Sequence, residues 1–268
     1  MRTIRITGTG SALPGRIVTN KELEQMVETS DEWIRERTGI GERHVSVGET
    51  VVTLASEAAR KALEQAGKRA EEIDLILVAT CSPEQYLPCC ACQVQAAVGA
   101  VNALAFDVNA ACSGFLFALN TAYAYIEMGM AKTVLVAGAE TLSREVDWSD
   151  RGSCILFGDG SGAAIVQKDD SNVGGLIASV TGSDGTQGDV LTCKGRGIQN
   201  PFHNSKRKKD YIRMDGQAVF RFAVTMVPRC VKQILKKTET DVDDIKFFVL
   251  HQANVRILEL IANFIHRI

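Results

Sequence analysis

Short apolar runs alternate along the chain with stretches whose apolar positions recur every three to four residues. Ile73-Asp-Leu-Ile-Leu-Val-Ala79 is the near-continuous apolar run that a strand buried on both faces needs, and Ala103 to Val108, Thr133 to Ala137 and Ala163 to Val166 read the same way. Between them, Leu54 to Ala66 predicts an alanine-rich helix stopped by Gly67, and Ser113 to about Met128 predicts a second. Strands alternating with helices imply a mixed or parallel sheet covered by helices, an α/β class. Gly158-Asp-Gly-Ser-Gly162 has the glycine content of a phosphate loop without GxGxxG spacing, and predicts a tight turn between strands.

The pattern also repeats. Ala59–Gln65 followed by Glu72–Ala79 matches Val231–Lys237 followed by Asp244–His251 at a constant offset of 172 residues (245 against 73, 235 against 63). Both copies read as helix, charged turn and buried strand, which favours a duplicated fold with halves at 1–170 and 171–268. Position 268 pairs with position 96, so the strand Ala103–Val108 and its helix have no second copy. The second half is expected to be incomplete.

With 268 residues, 46% hydrophobic, the chain has ample material for a core. Its net charge of −2 gives no global attraction to nucleic acid or an anionic membrane. The opening Met1–Gly15 lacks an apolar core of signal-peptide length, and no apolar run approaches the roughly 20 residues of a membrane span. A cytoplasmic protein is expected. Eight cysteines in so long and apolar a chain are expected to be reduced. Cys89 and Cys92 have CxxC spacing, but no second pair follows at zinc-site spacing, so they read as small core residues at a helix start. No metal site is expected. Lys206-Arg-Lys-Lys209 reads as a solvated basic loop.

Chemistry concentrates in Ala103-Leu-Ala-Phe-Asp-Val-Asn-Ala-Ala-Cys112-Ser-Gly-Phe115. A strand ends, small residues turn, and Cys112 stands where a helix begins. The positive end of a helix lowers a thiol pKa, and Gly114 would let a substrate carbonyl approach backbone N–H donors. Of four histidines, His251 alone is read as ending a buried strand, Lys246–Leu250, where α/β folds build their sites. His44, His203 and His266 lie in charged, polar or terminal surroundings.

At this point the chain resembles the β-ketoacyl-acyl carrier protein synthase III family. Ala111-Cys-Ser-Gly-Phe115 is similar to its nucleophile segment and His251-Gln-Ala-Asn254 to its histidine segment. Asp31-Glu-Trp-Ile34 with Arg37-Thr-Gly-Ile40 is similar to a segment used there to hold coenzyme A. Gly8–Pro14, Phe157-Gly-Asp-Gly160 and Met214-Asp-Gly216 with Val219-Phe220 follow in the family's order. The resemblance implies a thiolase-like layered αβαβα fold built from a duplicated half, the second half being incomplete here. It implies condensation of an acyl-CoA starter with malonyl-acyl carrier protein, through an acyl thioester on Cys112 and with His251 as hydrogen-bond donor. Trp33, Arg37, Arg151, Met214, Gly216 and Asn254 would bind coenzyme A or substrate, and Gln252 and Arg256 would meet the acidic carrier protein. A homodimer, no cofactor beyond the thioester substrate, and no nucleic-acid or membrane partner are also implied.

One departure stands out. The family's catalytic asparagine, in a Gly-Asn-Thr-Ser segment beyond the histidine, has no match before Ile268. With one oxyanion donor fewer, condensation by the chain as written is expected to be slower by roughly a hundred- to thousandfold. Another thiolase-fold synthase of polyketide or hydroxymethylglutaryl type, or an impaired acyl-CoA-binding relative, are the competing expectations.

Overall fold

A computed structural model of the chain describes residues 4–169, 175–195, 199–204 and 210–267. The basic run Lys206–Lys209 lies outside the described residues, as does the side chain of His203. In chain order the main elements are β1 (Ile4–Ala12), α1 (Asp31–Thr38), α2 (Val51–Ala66), β2 (Leu75–Ala79), α3 (Cys90–Val98), β3 (Leu104–Val108), α4 (Gly114–Glu127), β4 (Thr133–Thr141), α5 (Arg151–Cys154), β5 (Asp159–Lys168), α6 (Gly216–Thr238) and α7 (Val255–Ile265). By contacts the chain divides into two units. The first comprises Met1–Ile17, His44–Leu142 and Gly158–Ser179, and the second Val18–Arg43, Ser143–Phe157 and Val180–Ile268. Residues 18–43 and 143–157 therefore group with the later part of the chain rather than with the half expected to end near 170.

The first unit is a five-stranded mixed sheet of order β1-β5-β4-β2-β3. β2 runs parallel to both β3 and β4, and β5 is antiparallel to β4 and β1. Side chains two apart share a face, and the burial follows that period. Ile76 and Val78 join Leu135, Ala137 and Ile165 under α2 and α3. Leu75, Leu77 and Ala79 join Val134, Val136 and Val166 against Ala118, Ala122 and Ile126 of α4. All five residues of β2 are buried, as its continuous apolar sequence requires. Residues 159–162, expected as a turn, are instead the first residues of β5, with Gly162 opposite Gly138 and Ser11. A glycine-rich run can be strand when its neighbours supply the ladder.

Glycines also set how closely α2 lies on the sheet. A Cβ at Gly8 would sit 2.3 Å from the Ala62 carbonyl oxygen, and one at Gly10 only 2.2 Å from that of Ala58. Glycine on the strand and alanine on the helix thus let two backbones touch. That contact explains why the helix is alanine-rich.

In the second unit, α6 and α7 pack around Val231, Ile261 and Ile265. Here the repeat becomes visible bond by bond. α2 ends at Ala66 and α6 at Thr238, 172 residues on. The 3₁₀ turns Ala70–Glu72 and Val242–Asp244 keep the same offset. Lys68 N donates to Leu63 O at 3.0 Å, and Thr240 N donates to Leu235 O at 3.1 Å. Gly67 and Glu239 both take left-handed φ, +62° and +50°. Then the copies part. Leu75–Ala79 is a strand, whereas Lys246–Leu250 pairs with no strand among the described residues and leaves Phe247 76% and Val249 92% exposed. The expected buried strand before His251 is therefore absent. A strand forms only with a neighbour to take its N–H and C=O groups, and apolar sequence alone does not provide one.

The glycine contact is testable. Gly10→Ala should lower stability by about 2–3 kcal/mol, since the neighbours are backbone atoms that cannot yield. Gly162→Ala, with open space at its Cβ, should be nearly neutral. Equal denaturant midpoints for the two variants would show that α2 does not rest on the strand.

Candidate active site

The Cys112 turn is built by three neighbours. β3 ends at Val108, Ala111–Ser113 forms a 3₁₀ turn, and α4 begins at Gly114. Ala111 has φ +45°, a left-handed conformation that costs an alanine roughly 1–2 kcal/mol and is characteristic of functional turns. Ser113 N donates to Ala110 O at 3.1 Å, closing the turn. A Cβ on Gly114 would meet the Ala79 Cβ at 3.0 Å, so the helix start rests on the end of β2. Cys112 is exposed, at the carboxyl edge of the sheet.

Its electrostatics differ from expectation. Although the residue presents surface, the atoms crowding the thiol make burial the dominant influence, and its pKa is pushed up. Its own backbone N–H works in the opposite sense, and the Glu140 carboxylate adds to the rise. Glu140 is held near the end of β4 by Cys81 N at 2.8 Å, by Thr80 Oγ1 at 3.2 Å and by a short bond from Ser82 Oγ. A helix start does favour a thiolate, but desolvation and a carboxylate outweigh it here. Burial and the nearby carboxylate thus favour the neutral thiol over the thiolate.

In the second unit, Trp33, Arg37 and Arg151 come together. The Arg37 guanidinium lies 4.5 Å and that of Arg151 4.7 Å from the Trp33 ring centroid. Arg37 reaches the ring because it stands four residues on along α1. Ser30 caps that helix by accepting from Trp33 N at 3.1 Å, and Asp150 caps α5 by accepting from Gly152 N at 2.9 Å. Each guanidinium covers part of the ring face, so a flat nucleobase would stack there by taking the place of one of the two cations.

Sequence reasoning missed what fixes this cluster. Arg43, only 5% exposed, donates to Val18 O at 3.1 Å, Asn20 Oδ1 at 2.9 Å and Ile155 O at 3.1 Å. Asn20 in turn donates to Asp31 Oδ1 and Ile40 O, both at 2.8 Å. This chain of bonds ties α1 to the segment that follows α5. Burial lowers the Arg43 pKa, and the Asn20 hydrogen bond, then Arg35, lower that of Asp31. Arg43 stood in a charged stretch, Gly41 to His44, where nothing distinguishes a buried arginine from a solvated one.

Beside these residues, Arg37, Gly216, Asn254 and Arg256 line a cleft of about 550 Å³ together with Phe220 and Arg221. Gly216, Gln217, Phe220 and Arg221 are one face of α6, so the helical period after Met214 was the available signal. Asn254 also caps α7, accepting from Arg256 N at 2.9 Å. Met214 ends a short strand, Ile212–Met214, two residues before Gly216. His251 and Gln252 are exposed and lie in no strand. No group of three or more His, Cys, Asp or Glu side chains able to hold a metal occurs among the described residues.

Comparison with known proteins identifies the fold. Residues 106–185, including Cys112, match the family described as 3-oxoacyl-[acyl-carrier-protein (ACP)] synthase III. The β-ketoacyl-[acyl-carrier-protein] synthase III of Clostridium acetobutylicum is 48% identical over 263 residues, covering 98% of this chain and 80% of that protein. The chain belongs to the synthase III family. The crystal structure of 3-oxoacyl-[acyl-carrier-protein] synthase III from Aquifex aeolicus VF5 superposes with a TM-score of 0.90 at 40% identity, covering 98% of this chain and 81% of that one. The priming β-ketosynthase of the R1128 polyketide biosynthetic pathway superposes at 0.91 with 36% identity, over 99% and 79%. This synthase III chain thus has the thiolase-like α/β fold that its motifs implied.

The thiol's surroundings make a prediction. In Glu140→Gln the Cys112 pKa should fall, because a raising carboxylate is gone, while the acceptor for Cys81 N remains. The pH profile of Cys112 alkylation by iodoacetamide, read by peptide mass, should move to lower pH. An unmoved profile would remove Glu140 from the account.

Proposed function

We propose that this synthase III uses Cys112 and His251 to start fatty-acid chains. Cys112 gives up its proton and its sulfur attacks the carbonyl of an acyl-CoA; the bond to the coenzyme A sulfur breaks, leaving an acyl thioester on Cys112, and the departing sulfur takes up a proton to leave as the thiol. Malonyl-acyl carrier protein then loses carbon dioxide, and the carbanion left on its methylene carbon attacks the Cys112-bound acyl carbonyl. A carbon–carbon bond forms, the Cys112 thiolate leaves, and β-ketoacyl-acyl carrier protein is released. His251 donates a hydrogen bond to the malonyl thioester oxygen as negative charge develops there. The placement of Cys112 between the end of β3 and the start of α4, exposed at the carboxyl edge of the sheet, supports the assignment.

The observation that carries the proposal is the 48% identity to a curated synthase III across 98% of this chain. The synthase III enzymes of Clostridium novyi and Clostridium kluyveri, each 45% identical over 98% of this chain, support the same starter role. For coenzyme A we assign Trp33 to the adenine, Arg37 and Arg151 to the phosphates, and Met214, Gly216 and Asn254 to the pantetheine arm. The paired guanidiniums on Trp33 support the first two assignments, and the shared cleft supports Gly216 and Asn254. Gln252 and Arg256, both exposed, would meet the acidic carrier protein, where charge mainly speeds encounter. A homodimer through the first unit is supported by β3, an unpaired sheet edge whose Leu104 is 53% exposed. Eight free thiols support a cytoplasmic setting, and among the described residues no helix is long and apolar enough to cross a membrane.

The test is to supply acyl-CoA and malonyl-acyl carrier protein and follow β-ketoacyl product by mass. Product should form, and Trp33→Ala should raise KM for acyl-CoA about tenfold with a smaller change in kcat, the value of one lost stacking partner. A protein that binds acyl-CoA but never yields β-ketoacyl product would instead be an impaired binding relative. Light scattering at micromolar concentration should give a dimer, and a clean monomer would contradict the assembly.

A further inference from the structure

The CxxC segment differs from its expected form. Cys90 is the core residue, fully buried beside Ala91 and Val94, while Cys89 and Cys92 are only half-buried. Cys89 is the N-cap of α3 and Cys92 its third helical residue, a spacing at which side chains lie one above the other on the same face. That spacing puts the two thiols on one side of the helix start, and Cys92 Sγ donates to Ala105 O at 3.6 Å. The turn that carries them is fixed independently of the thiols. Asp107 of β3 accepts from Cys90 N at 2.9 Å and from Ala91 N at 2.7 Å, so the backbone is held whether or not the sulfurs are bonded.

We propose that Cys89 and Cys92 form a dithiol site that closes reversibly to an intrahelical disulfide by exchange with low-molecular-weight disulfides. The Cys89 thiolate attacks one sulfur of the small disulfide, giving a mixed disulfide and releasing one small thiol. The Cys92 thiolate then attacks the Cys89 sulfur and expels the second small thiol. Two protein thiols are oxidised and one small disulfide is reduced to two thiols, with the two protons passing to the departing thiolates. Cys89 stands at the N-cap, nearest the positive end of α3, and acts first, while Cys92, one turn further in and pushed up by Cys89 and by burial, acts second, as the resolving thiol. Neither residue belongs to the acyl-transfer machinery. The site therefore gives the enzyme a response to the thiol–disulfide balance that is separate from Cys112.

The experiment uses the full chain and oxidised glutathione as the probe. After exposure and denaturation, an alkylating agent should reach six of the eight cysteines, the protein should have lost two hydrogens, and peptide mapping should link Cys89 to Cys92. Dithiothreitol should restore all eight. Cys92→Ser should trap glutathione on Cys89 as a stable mixed disulfide. Cys89→Ser, whose new serine is a favoured N-cap and so preserves the fold, should leave Cys92 largely unmodified in the same time. A mixed disulfide persisting on Cys89 in the unaltered protein, a link through other cysteines, or eight free thiols after exposure would each overturn the proposal.

Discussion

The site depends on one steric fact: α4 can begin directly on the end of β2 because position 114 has no side chain. With the Ala79 Cβ at 3.0 Å from where a Gly114 Cβ would stand, a side chain at 114 would make the helix start or the end of β2 give by a few tenths of an ångström. That contact forces the preceding residues into a tight turn, and Ala111 takes the left-handed conformation that the turn requires. Cys112 is thereby presented at the carboxyl edge of the sheet at the start of a long helix. The strain is small beside the burial of two sheet faces, so the structure around it can hold it.

From that arrangement follows the character of the thiol. A cysteine at a helix start would be expected to ionise readily, but burial among the surrounding atoms pushes the Cys112 pKa the other way although the residue presents surface. Glu140, clamped by Thr80, Cys81 and Ser82, puts a negative charge in the same neighbourhood. The balance favours a neutral resting thiol and makes nucleophilicity conditional on what binds. In the second unit the logic is reversed. There the polar groups serve to hold cations in place, and a buried Arg43 ties together the segments that bring the Arg37 and Arg151 guanidiniums over the Trp33 ring.

Much of this was legible in the residues. Leu75–Ala79, 133–137 and 163–166 appeared as apolar runs because they are buried throughout, whereas Leu104–Val108 reads the same way with no residue fully buried, and α2 appeared as alanine-rich because it touches a glycine strand. The repeat at 172 residues survives even to matching 3₁₀ turns and left-handed caps, since those depend on local bonding that sequence encodes. What sequence did not reveal depends on partners distant in the chain. Lys246–Leu250 carries the composition of a strand but finds no ladder among the described residues. Asp107 holds the α3 turn from a neighbouring strand, and Arg43 is buried only because three carbonyl or amide oxygens converge on it from elsewhere. The direction of the Cys112 pKa was missed for the same reason, because the groups that bury the thiol, and after them Glu140, come from elsewhere in the chain.

The central claim is that Cys112 is the group that accepts the acyl chain. The most direct measurement is to expose the protein to isotopically labelled acyl-CoA, digest it, and locate the label by peptide mass, with Cys112→Ala treated in parallel. The account predicts a hydroxylamine-labile acyl group on the Cys112 peptide alone and none on Cys112→Ala. Label on another cysteine, or full labelling of Cys112→Ala, would contradict it.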